Sequence, residues 1–91
     1  MKSEIIKQLR ELKNDARSFT EEFQDYDEAL LLLEEAIVVL ADNENVFDED
    51  ERKGWYADLY GTIGGVYGRK NDFENALKYY SLGEEKEEIL K

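Results

Sequence analysis

Ile5, Leu9, Leu12, Ala16, Phe19 and Phe23 recur at alternating steps of four and three, the spacing that puts side chains on one stripe of an α-helix. The pattern predicts a first helix from about Glu4 to Phe23 with its charges on the opposite side. Gln24 and Asp25 interrupt it, and Asp25 followed three positions later by Glu28 is a capping-box pattern that starts a second helix at Tyr26. A two-residue link makes the two helices antiparallel neighbours. Between Tyr26 and Ala41 the apolar residues Leu30 to Leu33 and Ile37 to Leu40 spread around nearly the whole circumference. That is the pattern of a central helix, and the expectation is the first helix on one side of it and both later helices on the other.

Six acids and no base fall between Asp42 and Glu51. Their oxygens are out of register for a calcium loop, which also needs a turn glycine and a closing glutamate. Asp48 with Glu51 reads instead as a second capping box, opening a third helix from about Glu49 to Arg69, and Phe47 with Val46 is expected to fold back beneath the loop. One side of that helix carries Trp55, Tyr56, Leu59, Tyr60, Ile63, Val66 and Tyr67; the other carries Gly54, Gly61, Gly64, Gly65 and Gly68 together with Ala57. At about 1 kcal/mol per glycine relative to alanine, the five cost a helix about 4 to 5 kcal/mol, so a close approach by something is expected on that face. Asn71 and Asp72 supply a turn and cap, and Phe73, Ala76, Leu77 and Tyr80 form the expected inward face of a fourth helix. A second row on that helix, Tyr79, Leu82 and Ile89, asks for a further neighbour. The whole reads as an all-α domain over 1–91: a helix pair at 4–41, an acidic loop at 42–48 and a second helix pair at 49–90.

The run Tyr60-x2-Ile63-Gly64-x2-Tyr67, followed by Ala76-x3-Tyr80 and the small Gly83, resembles one 34-residue unit of the tetratricopeptide repeat family, covering Ala57 to Leu90. Tyr60 stands where that family most often has tryptophan, and Glu88 replaces its proline. Asp25 to Ala29 and Ala36 parallel Asp72 to Ala76 and Gly83, which suggests a degenerate earlier unit. The resemblance implies two antiparallel helix pairs whose first helices line a concave groove for a helix or an extended peptide. Members that clamp a peptide carboxylate use Lys, Arg and Asn there. Gly61 and Gly65 take the corresponding positions here and leave Arg69 as the nearby cation, so no such clamp is expected.

Charge and composition narrow the function further. Twenty-three acids against twelve bases give a net charge of −11, which disfavours nucleic acid as a partner and suits a protein or peptide partner of basic character. Without histidine or cysteine, the usual zinc ligand sets and imidazole or thiol catalysis are excluded; no metal and no cofactor is expected. The longest apolar stretch, Ala29 to Ala41, is too short to span a bilayer, and the polar N-terminus shows no signal peptide, so a cytoplasmic protein without a membrane partner is expected. Two functions follow. The chain is either a non-catalytic interaction module using Gly61, Gly65, Gly68 and Arg69, or a self-associating protein, a possible homodimer, using Tyr79, Leu82 and Ile89. The glycine stripe itself has two readings, an open ligand groove or a close contact between the first and third helices.

Overall fold

The computed structural model describes residues 1–88, and they form four α-helices: α1 (Lys2–Glu21), α2 (Tyr26–Asp42), α3 (Glu49–Arg69) and α4 (Phe73–Glu88). Each junction is set by local chemistry. Asp25 caps α2 by accepting the Glu28 N–H at 3.2 Å. Asp48 and Glu51 form a complete capping box at the start of α3, with reciprocal bonds of 2.8 and 2.9 Å. Asp72 caps α4 through the Asn75 N–H at 3.3 Å. Between α3 and α4 the chain turns through Asn71 at φ 65°, with the Asn71 N–H donating to the Gly68 carbonyl and the Asp72 N–H to the Tyr67 carbonyl. This is the pair of hydrogen bonds of a left-handed helix stop, and asparagine tolerates that backbone well. The corresponding residue after α1 is Gln24 at φ 53°, a less suitable side chain for the same conformation.

The helices pair antiparallel as α1 with α2 and α3 with α4, and the two hairpins join through α2 and α3. Leu9, Leu33, Leu40, Leu59 and Ile63 are the largest fully buried side chains, so the core runs along the α1–α2–α3 seam. Phe47 is buried beneath the acidic segment, where a short 3₁₀ turn spans Glu44–Val46. The Tyr56 hydroxyl donates to the Glu44 carboxylate at 3.0 Å and fastens this turn to α3. Among the described residues, no helix is long and apolar enough to cross a membrane.

Two expectations about faces fail. Helix α2 is not covered all round, because α4 packs on α3 and the outward side of α2 leaves Leu31 and Val38 exposed. On α4 the expected Ala76 is buried and the Tyr80 ring, though 44% exposed, lies against Gly64, but Phe73 and Leu77 are 63% and 67% exposed and Tyr79 and Gly83 turn inward in their place. The reason is size. Gly64 lets α4 approach until the Ala76 carbonyl oxygen lies 3.1 Å from where a Gly64 Cβ would stand, and Gly83 comes similarly close to the Ala57 carbonyl at 3.4 Å. The small residues therefore set which side of α4 turns inward, and the larger apolar row is left outside.

Candidate interaction groove

Helices α1 and α3 run in the same direction. Lys2 bridges Glu51 at their N-terminal ends (2.6 Å), and Lys13 pairs with Asp58 farther along. The Lys13 ammonium also sits 6.0 Å from the centre of the Trp55 ring. Beyond these ties the C-terminal halves of α1 and α3 flank a cavity of about 380 Å³. Its buried apolar lining is Ala16, Leu33 and Val66. Lys13, Asn14, Arg17, Thr20 and Glu21 line it from α1, and Thr62, Gly65 and Arg69 line it from α3. A second hollow along α1 is bordered by Ser3, Ile6, Lys7, Arg10, Glu11 and Asn14, with Lys7 and Glu11 paired at 4.0 Å.

The sequence of α1 explains this lining. Lys7, Arg10, Lys13 and Arg17 follow one another at steps of three and four and lie beside the apolar stripe of Leu9 and Ala16. Burying the stripe on α2 therefore turns the basic row toward the space before α3. The Arg17 guanidinium donates to the Asn14 side-chain carbonyl at 2.6 Å, which holds it along the helix. Thr20, buried, donates its hydroxyl to the Ala16 carbonyl at 2.8 Å and needs no outside partner. Lys13, Arg17 and Arg69 face one acid, Glu21, in the cavity lining. Helix α2, by contrast, carries Asp27, Glu28, Glu34, Glu35 and Asp42 and no base. Three of the chain's twelve bases, Lys13, Arg17 and Arg69, thus line the groove beside a single acid.

The glycine stripe divides. Gly64 is buried in the α3–α4 contact. Gly54, Gly61 and Gly68 have nothing within 4 Å of a would-be Cβ, and Gly65 meets only the Tyr80 hydroxyl at 3.8 Å. The stripe is therefore not a close contact between α1 and α3; its outer part is open. Arg69 is exposed and lines the cavity with Gly65. It is not the only cation nearby, because the basic row of α1 shares the groove. The steps of that row were visible in the sequence, but nothing in the sequence of α1 gave a register by which to assign them to the groove.

The second row of α4 behaves differently from expectation. Tyr79 stacks on Tyr67 at 5.4 Å and lies tilted against Tyr60 at 6.1 Å. It belongs to the α3–α4 contact, where its partly buried ring packs against those two aromatic rings of α3. Leu82 is half-buried on the same side. Ile89 lies outside the described residues. The exposed apolar row is instead Phe73, Leu77 and Tyr80, which joins the groove through the contact of Tyr80 with Gly65. Set against protein-family models, curated proteins and solved structures, the chain matches none of them.

Proposed function

We propose that this chain is a non-catalytic protein-interaction module of tetratricopeptide type, whose groove between α1 and α3 receives a helix or an extended segment bearing carboxylates. The observation that carries the reading is the convergence of Lys13, Arg17 and Arg69 on one cavity in a chain of net charge −11. Net charge alone favours a basic partner, but screening limits its reach to about 8 Å at physiological salt, so the lining of the groove governs what binds there. Gly65 leaves part of the α3 wall without a side chain, and Gly61 and Gly68 on the same helix are also open, which suits a backbone or helix lying close along it. Arg17 and Arg69 supply forked donors for carboxylates, and Ala16, Leu33 and Val66 supply the apolar floor.

Fluorescence anisotropy with two labelled amphipathic peptides, identical except for Glu or Lys on the polar face, tests this. The acidic peptide should bind, weaken as salt rises, and lose about tenfold in affinity with Arg17→Glu. Preference for the basic peptide, or indifference to Arg17→Glu, refutes the assignment.

A further inference from the structure

We propose that two copies of this chain pair face to face, each inserting its α4 into the other's groove. The inference rests on the groove reading above and names its occupant. Three observations meet. The Phe73–Leu77–Tyr80 row is exposed, and Glu74 and Glu84 are exposed beside and beyond it. The basic row Lys7, Arg10, Lys13 and Arg17 borders two hollows of about 420 and 380 Å³. Row and groove occupy one continuous face, because Tyr80 lies against Gly65 and Gly65 lines the groove. An acidic helix with an apolar edge is the chemistry this groove fits, and the chain itself carries such a helix.

A shared face lets both contacts form at once about a two-fold axis, the commonest symmetry among soluble oligomers. The three exposed side chains offer about 300 Å² of apolar surface per copy, given that aromatic side chains bury about 150 to 250 Å² when fully covered. With the groove lining added, the pairing falls below the about 800 Å² per partner of a standard stable interface. A weak, salt-sensitive dimer in the micromolar range is the consequence.

Sedimentation equilibrium of the whole chain from about 1 µM to 1 mM reads this directly. Wild type should dimerise, less so at high salt. Arg10→Glu with Arg17→Glu, and separately Glu74→Lys with Glu84→Lys, should each weaken the dimer by about tenfold with helix content unchanged. All four positions are exposed. An equimolar mixture of the two variants should recover a heterodimer, since the reversed groove of one then meets the reversed helix of the other while the unaltered groove meets an unaltered helix. A monomer across the whole range, or a dimer indifferent to both reversals, overturns the proposal. The acidic-peptide assay separates it from the groove reading. If the Glu74→Lys, Glu84→Lys variant and wild type both stay monomeric yet capture the acidic peptide, the groove stands and its occupant is another protein.

Discussion

Replacing Gly61 by alanine probes whether the bare wall of α3 is open space, and the outcome can be worked from the geometry. Gly61 lies in the middle of a 21-residue helix, nothing stands within 4 Å of its would-be Cβ, and no glycine in the chain has a positive φ. Alanine therefore meets no steric or backbone penalty, and the change recovers the helix propensity that glycine forfeits, about 0.8 to 1 kcal/mol. In a domain of this size that raises the melting midpoint by about 4 to 8 °C. Gly65→Ala should behave alike, since its methyl reaches only ordinary van der Waals contact with the Tyr80 hydroxyl at 3.8 Å. Gly64→Ala is the internal control. Its methyl would stand 3.1 Å from both the Ala76 carbonyl oxygen and the Tyr80 ring. The exposed Tyr80 ring can swing aside, but the carbonyl moves only with the α4 backbone, so overpacking of about 1 to 3 kcal/mol outweighs the propensity gain. Thermal melts followed by far-ultraviolet circular dichroism would rank Gly61→Ala above wild type and Gly64→Ala below it. A Gly61→Ala midpoint at or below wild type would refute the open wall.

Two further changes test the junctions. Gln24→Gly should stabilise by about 0.5 to 1 kcal/mol, because Gln24 holds φ 53° after α1, a conformation glycine adopts without a Cβ penalty; denaturant titration reads the gain, and a loss would mean that Gln24 makes a contact worth more than the strain. The phenol of Tyr56 is pushed up to about 12 by burial and by its bond to the Glu44 carboxylate. Its folded pKa being raised, its contribution is complete below about 10 and is lost as pH rises through about 12; ultraviolet titration of Tyr56→Phe should lack a late-titrating phenol, and an unchanged curve would contradict the assignment.

The helices were legible because their signals are local. The step pattern of α1 and the caps at Asp25, Asp48 and Asp72 depend on residues within one or two turns of each other, and the structure places α2 and α3 where those signals put their starts. Orientation of α4 was not legible in the same way. It carries apolar residues on two sides, so periodicity allows either to turn inward, and the choice falls to Gly64 and Gly83, whose contacts reach Ala76 and Ala57 on the facing helix. The same limit applied to the groove. Arg69 could be placed from the repeat-like segment alone, whereas Lys13 and Arg17 enter the groove only once α1 is docked on α2 and its remaining face is committed.

Lys13 also shows how the groove's charge can be adjusted without touching its walls. Its ammonium is tied to Asp58, so in the free protein that cation is largely spent inside the module and Arg17 and Arg69 carry the field. Asp58→Asn removes the countercharge and frees Lys13 while leaving the cavity lining intact. Surface ion pairs contribute about 0 to 1 kcal/mol, so the fold should be little affected. The added unit of positive charge, about 8 Å from an incoming carboxylate in a largely aqueous setting, is worth about 0.5 kcal/mol, and more where the ligand excludes water. Affinity for an acidic segment should therefore rise about two- to fivefold, opposite in sign to the effect of Arg17→Glu. Trp55, beneath the Lys13 ammonium, gives an intrinsic fluorescence signal for the same titration. Unchanged affinity in Asp58→Asn alongside a clear loss in Arg17→Glu would remove Lys13 from the binding surface, and no change in either would show that the field of the groove does not select its ligand.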